Sequence, residues 1–293
     1  MPELPEVEVV RAGLEPAVTG ARVTSVTVLD ERSLRRHDGP SEDFVDRLTG
    51  RTFLAPRRRG KFLWIPLDDD RVTTPEALVV HLGMSGQVLL REPGTDDALT
   101  RIRIDIEHPG AGPLLLNFVD QRIFGSMAID RLASAPDFVD ETVPSQVAHI
   151  ARDPLDPRFD DARFFTRLAA KKTTIKRALL DQTLVSGIGN IYADESLWAA
   201  RVHYDQPTAT LSRARARGLL SEVRAVLNRA LAEGGTSFDA QYLNVNGQSG
   251  YFLHSLNAYG QQGKPCPRCG RPIVREQFMN RGSHFCAHCQ RVR

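Results

Sequence analysis

All four cysteines of this 293-residue chain lie in its last 30 residues, as Cys266-Pro267-Arg268-Cys269 and Cys286-Ala287-His288-Cys289. Two C-x₂-C pairs with 16 residues between them match a tetrahedral four-thiolate zinc site. A metal held by four protein ligands has no open position, so the zinc is structural. A module of this size has little core and needs such a staple. A redox dithiol would use one pair and leave the other unexplained. Cysteines crowded at one end are also unlike a secreted disulfide framework, which points to a reducing compartment. The same stretch carries Lys264, Arg268, Arg271, Arg275, Arg281, Arg291 and Arg293 against the single acid Glu276, although the formal net charge of the whole chain is only +2. Basic residues concentrated on a nearly balanced protein suggest a localised anionic partner. The module by itself establishes a zinc ribbon and only suggests nucleic acid.

The remaining length allows one large domain or two medium ones, with ample core. Hydrophobic content of 41% and charged content of 25% are those of a soluble globular protein. An N-terminus carrying Glu3, Glu6 and Glu8 has no signal-peptide pattern, and no run of about 18 apolar residues spans a membrane. Leu4, Val7, Val10 and Leu14 have helical spacing, with Gly13 and Pro16 marking an end. Short β-like runs follow at 23–29, 61–66, 77–82, 87–90, 101–106 and 114–119, separated by Gly/Pro/Asp clusters, and they predict a β-sandwich or barrel. Residues 134–150 open a stretch rich in Pro and Asp and read as a linker. Helical spacing then governs 163–171, 173–182, 190–202 and 211–233, until Gly234-Gly235. The expected organisation is a first domain over 1–133, a linker over 134–150, a helical domain over 151–262 and the cysteine module over 263–293.

Four stretches carry chemistry. If Met1 is removed, Pro2 presents a free secondary amine, and an α-amino group has a pKa of roughly 7.7–8.0. Such an amine can attack a sugar carbon and form a Schiff base, with Glu3 beside it to move protons. Taken alone, Pro2 and Glu3 read as a helix start. The turn 181–190, with Gly187 and Gly189 ahead of a helix opening at Asn190, presents backbone N–H groups to an anion. It is also what a plain helical hairpin would contain, and the upstream Lys171, Lys172 and Lys176 favour a phosphate. Met84, in Gly83-Met84-Ser85-Gly86, is an apolar side chain on a Gly-flanked tip and can wedge into a base stack. Arg122 and Phe124 sit beside a second turn. Alone, each of these last two is more often structure than function. The run Arg57-Arg58-Arg59-Gly60-Lys61 is equally a solvated face or an anion site.

In this combination and order the chain resembles the formamidopyrimidine-DNA glycosylase family of bacterial DNA repair, also called Fpg or MutM. The likeness runs from Pro2 to Cys289 through Pro2-Glu3-Leu4-Pro5-Glu6-Val7-Glu8, Gly60-Lys61-Phe62-Leu63, His81 to Gly86, Gly187 to Ala193 and the terminal finger. The resemblance implies an α+β multidomain protein: an N-terminal β-sandwich with flanking helices, a helix–two-turn–helix domain and a C-terminal zinc finger. It implies a bifunctional glycosylase and abasic-site lyase acting on 8-oxoguanine and formamidopyrimidines in double-stranded DNA. Pro2 would be the nucleophile and Glu3 the general acid/base. Lys61 would contact phosphates and assist β-elimination, and Arg281 would bind the phosphates flanking the lesion and serve δ-elimination. Lys171 and Asn190 would contact the DNA backbone. Met84, Arg122 and Phe124 would fill the gap left by the extruded nucleotide, and residues 236–252 would cap the lesion. Cys266, Cys269, Cys286 and Cys289 would hold one zinc ion. The resemblance further implies a cytoplasmic monomer, associated with the nucleoid through DNA. Gln121 and Ile123 replace the Pro and second Arg of the family's Asp-Pro-Arg-Arg-Phe-Gly motif, and a DNA-contacting histidine near 100–104 is absent, with Arg101 the nearest substitute. The alternatives are the Nei branch, which prefers oxidised pyrimidines, and a non-catalytic zinc-ribbon damage-binding protein.

Overall fold

The computed structural model describes residues 2–68, 74–95, 97–236, 245 and 250–293. They group into two compact units: Pro2, Glu6–His149 and Thr236–Gly250 form one, and Glu3–Pro5, Ile150–Gly235 and Tyr251–Arg293 the other.

In the first unit, helix α1 (Leu4–Val18) is followed by β1 (Arg22–Val28), α2 (Ser41–Leu48), β2 (Arg57–Arg59), β3 (Phe62–Pro66), β4 (Glu76–His81), β5 (Gly86–Arg91), β6 (Thr100–His108), β7 (Gly112–Asp120), β8 (Ser126–Ala135) and β9 (Phe138–Pro144). The strands form a four-stranded sheet in the order β1-β6-β7-β5 and a five-stranded sheet in the order β2-β3-β4-β8-β9, with antiparallel neighbours throughout. The period-2 pattern of β6 turns Ile102, Ile104 and Ile106 inward. They meet Leu116 and Phe118 of β7, Leu63 and Ile65 of β3, Leu78 and Val80 of β4, and Met127 and Ile129 of β8 in one core. Each such side chain contributes about 1.5–3 kcal/mol of burial. This is the expected sandwich. Val7, Val10, Leu14 and Val18 join the same core, and that stripe carries α1 through Pro16 to Val18 rather than ending it at Gly13.

The expected linker over 134–150 is the main departure. Phe138–Pro144 is strand β9, paired with β8 across a two-residue turn at Pro136-Asp137. A Pro-Asp pair suits a tight hairpin as well as a linker. The buried guanidinium of Arg59 fixes this hairpin, with Nη1 3.4 Å from Asp137 and Nη2 3.2 Å from Glu141. Arg58 lies 2.8 Å from Glu8. Much of the arginine run is therefore internal bracing.

The second unit contains α3 (Asp161–Ala170), α4 (Ile175–Leu180), α5 (Asn190–Ala199), α6 (Arg213–Ala232) and the hairpin β10 (Val274–Phe278) and β11 (Arg281–Phe285). Leu4, Ile175, Leu179, Ile188, Tyr192, Leu197, Leu219, Val223, Leu227 and Phe252 share its core. The cysteine module belongs to this unit. Gly234 and Gly235, at φ +76° and +80°, end α6, and the Gly235 N–H donates to the Ala230 carbonyl at 2.8 Å. Two backbone bonds return the chain to this point: Tyr251 N–H to Glu233 O at 2.9 Å and Phe252 N–H to Gly235 O at 3.1 Å. In the first unit, Thr236 donates its N–H and its hydroxyl to the buried Glu6 carboxylate, each at 2.8 Å. Most of the expected capping segment, residues 237–244 and 246–249, lies outside the described residues. Among the described residues, no helix is long and apolar enough to cross a membrane.

Candidate functional site

Pro2 and Glu3 are both buried. Glu3 is 2% exposed, and its carboxylate accepts N–H bonds from Gly189 (2.5 Å), Ile191 (2.9 Å) and Tyr192 (3.4 Å) at the N-terminus of α5. The glycine turn does present donors to an anion, but the anion is Glu3. A helix N-terminus accepts a side-chain carboxylate for the same reason that it accepts a phosphate. Only glycine fits at position 189, because a Cβ there would lie 2.4 Å from Glu3 Cδ. The adjoining Leu4 N–H donates to Gly187 O at 2.9 Å.

Asn190, the first residue of α5, donates its amide to the Gly282 carbonyl at 3.1 Å, beside Arg281. The fully buried Lys176 of α4 supports the same strand. Its ammonium lies 2.6 Å from Asp194 and donates to Ser283 Oγ at 2.8 Å. Asp194 in turn accepts the His284 N–H at 2.8 Å. Arg281 thus starts a strand seated on α4 and α5, while its own side chain is exposed. Lys171 caps α3 and pairs with Asp181 at 2.5 Å. Burial pushes the Asp181 carboxyl up, but Lys171 and the Thr183 hydroxyl and N–H outweigh it and hold it at about 2.

The four cysteine sulfurs lie within 4.8 Å of one another, close enough to converge on one tetrahedral Zn²⁺ with Zn–S of about 2.3 Å. Trp198 Nε1–H points at Cys266 Sγ from 3.4 Å, a hydrogen bond that suits a ligating thiolate. The donor set fits zinc.

In the first unit, Lys61 follows Gly60 (φ +58°) in the two-residue turn between β2 and β3. Beside it is a residue that sequence reading used only to open the Met84 loop. His81 pairs with Phe62 across β3 and β4, and its Nδ1 accepts the Gly83 N–H at 3.1 Å. Burial first, then the charges of Arg36, Lys61 and Arg35, push its pKa down to about 4. His81 is therefore neutral near pH 7, and with Nδ1 accepting, Nε2 carries the proton. A neutral N–H donor beside a lysine suits an anionic backbone. The only signal in the sequence was its place at the strand end, two residues before Gly83. Because the folded pKa lies below the ordinary 6.5, the unfolded chain binds the extra proton between those values. Stability from this group is complete above about pH 6.5 and is lost as pH falls towards 4. Urea titrations from pH 7 to 4.5 should show a steeper loss for wild type than for His81→Gln.

Met84 and Phe124 are 44% and 43% exposed, and the Arg122 guanidinium lies 4.7 Å over the Phe124 ring. Gly83 (φ +63°) touches the Phe124 backbone so closely that a Cβ would lie 2.2 Å from its carbonyl carbon. The structure therefore brings the three expected wedge residues onto adjoining turns. Ile123, between Arg122 and Phe124, has φ +54°, a left-handed conformation that costs a β-branched residue about 1–3 kcal/mol. Arg101 is placed differently from a free DNA contact. Its side chain is 18% exposed and lies 3.6 Å from Asp30, and Nε donates to Asp120 O at 2.8 Å.

Three family models match the chain: the Formamidopyrimidine-DNA glycosylase N-terminal domain over residues 1–127, its H2TH domain over 150–241, and the zinc finger found in FPG and IleRS over 263–292. The chain is 64% identical to a formamidopyrimidine-DNA glycosylase of Leifsonia xyli, covering 100% of both chains. It is 54% identical to that of Streptomyces avermitilis, over 100% of this chain and 98% of the relative. Among solved structures it is similar to Lactococcus lactis Fpg bound to DNA containing an abasic site (TM-score 0.81, 30% identity, 99% of each chain). It is also similar to MutM of Thermus thermophilus (TM-score 0.80, 33% identity, 99% of this chain and 98% of that one).

Proposed function

The chain belongs to the formamidopyrimidine-DNA glycosylase family, whose members are zinc-containing DNA glycosylases and abasic-site lyases of base excision repair, and from that premise we propose how its residues divide the work. Its substrate is double-stranded DNA carrying oxidised purines or abasic sites. The Pro2 nitrogen attacks C1′ of the damaged nucleotide, and the glycosidic bond breaks with its electron pair leaving on the base. Glu3 moves the proton that this step requires. The sugar ring then opens: the C1′–O4′ bond breaks, O4′ takes a proton by way of Glu3, and the C1′–N bond becomes an iminium, after which loss of a C2′ proton expels the 3′ phosphate. A second elimination expels the 5′ phosphate. Lys61 assists the first elimination and Arg281 serves the second, each at a phosphate. His81 joins Lys61 as a neutral donor, and Asn190 and Lys171 support the backbone-binding surface. The nucleotide must leave the stack for C1′ to be reached, and Met84, Arg122 and Phe124 occupy its place. Residues 236–252 cap the extruded lesion. The cytoplasm, with DNA as the anchor, is where such an enzyme works. The zinc ion supplies no chemistry in this scheme and sets only the shape of the finger that carries Arg281.

One observation carries this reading. Glu3 is a buried carboxylate with three backbone donors, so the residue bonded to Pro2 is immobilised. Glu3→Gln keeps the shape but turns one acceptor into a donor facing other donors. Base excision measured in a single turnover should fall by about 10²–10⁴-fold, the usual worth of a general acid/base. The second unit should lose about 1–3 kcal/mol in denaturant titrations. Undiminished excision by a folded Glu3→Gln protein would remove Glu3 from the mechanism.

A further inference from the structure

Asp120 and Arg35, which have no part in the scheme above, both grip the loop carrying Arg122 and Phe124. Asp120 closes β7 and is fully buried. Its Oδ1 accepts from Ser85 Oγ at 2.5 Å and from the Arg122 N–H at 3.1 Å, and its Oδ2 accepts from the Gly125 N–H at 2.6 Å. Ser85 follows Met84, so one carboxylate bonds both wedge-bearing turns. Arg35 takes the other polarity of the same loop. It donates to the carbonyls of Ile123 at 2.7 Å and Gly125 at 2.9 Å, and also to that of Phe124. Between these two charges lies Ile123 at positive φ. A β-branched residue holds that conformation only where its surroundings over-determine it, and here the anion fixes the N–H groups of the loop and the cation fixes its carbonyls.

We propose that Asp120 and Arg35 are positioning residues that hold Met84, Arg122 and Phe124 as one preset wedge, and that this presetting determines how sharply the enzyme distinguishes the base opposite the lesion. The inference rests on the reading of that trio as the wedge. A guanidinium reads a base edge only when its direction is fixed, because base recognition depends on aligned hydrogen bonds. A loop that must be ordered on every encounter loses part of that selectivity.

The test uses full-length protein and single-turnover excision of 8-oxoguanine opposite cytosine and opposite adenine, with cleavage of a pre-formed abasic site as the reference. Asp120→Asn and Arg35→Gln should each lower the cytosine-over-adenine ratio roughly tenfold, within the range that release of one strained residue allows. Abasic-site cleavage should change by less than about twofold, which a general loss of structure would not permit. Adding Ile123→Asn to Asp120→Asn should recover part of the ratio, since asparagine tolerates positive φ. Arg35 is exposed, so its variant decides the matter if Asp120→Asn does not fold. If Arg122→Ala collapses the ratio while the Asp120 and Arg35 variants leave it intact, the positioning role is wrong. If Arg122→Ala also leaves it intact, the wedge reading itself fails.

Discussion

Adding one residue ahead of Pro2 should abolish the borohydride-trapped protein–DNA adduct while leaving affinity for abasic-site DNA within about twofold. The extension converts a secondary amine into an amide, whose nitrogen lone pair is delocalised into the carbonyl and no longer nucleophilic. No charge that contacts phosphate is removed, so binding persists. Base excision should fall to background, because the covalent route has no other entry. Intact mass measurement of the unmodified protein should show Met1 absent, and the trapped species should have the mass of protein plus DNA. An adduct formed in undiminished yield by the extended chain would assign the nucleophile elsewhere, with Lys61 the first candidate. A non-catalytic damage-binding protein would give no adduct with either form.

The second large effect concerns the metal. Cys269→Ser, or chelation of the zinc, should lower DNA affinity by at least about 100-fold. Structural zinc contributes about 10–16 kcal/mol of apparent folding free energy in isolated fingers. Here the apolar support of the cysteine knuckles is Ile273 with Cys266 and Cys286, flanked by Trp198, which leaves little to hold the knuckles at the base of β10 and β11 without the ion. The strand carrying Arg281 would lose its frame, and the slope of log affinity against log salt should fall by about one for each phosphate that the finger no longer neutralises. The sheets of the first unit share no residues with this module, so the β-sheet signal in circular dichroism should survive. Unchanged affinity in a verified metal-free protein would show that the finger has no part in binding DNA.

Different parts of the molecule were legible in the sequence to different degrees, for physical reasons. The metal site was plain because four thiolates at fixed spacing have few uses. The inward face of β6 was plain because a sheet with one covered face enforces alternation. The strand β9 was hidden because Pro136-Asp137 is the composition of a linker and of a hairpin turn alike, and only pairing partners distinguish them. The glycines at 187–190 mark a turn that offers N–H donors but do not say to which anion, and in the structure Glu3 accepts them. A contact between residues 3 and 189 is invisible to any local pattern. Arg59 and Arg101 likewise read as available cations in the sequence, and in the structure Asp137, Glu141 and Asp30 lie beside them. Composition shows which charges exist, but the fold decides which of them are already neutralised.

The closure of the chain where α6 ends has a consequence for how such enzymes diversify. The bonds from Tyr251 to Glu233 and from Phe252 to Gly235 return the chain to its point of departure, and Glu6 pins Thr236 as it leaves. Between those ends the chain is tied once more, at Val245, which is buried in the core of the first unit and whose carbonyl accepts the Leu90 N–H at 3.1 Å. For such a segment each doubling of length costs only about 0.6 kcal/mol of closure entropy. Changes of length and composition that keep an apolar residue at the Val245 seat therefore cost folding little. If that segment covers the extruded base, the range of lesions accepted can drift within it while the nucleophile, the wedge and the finger stay as they are.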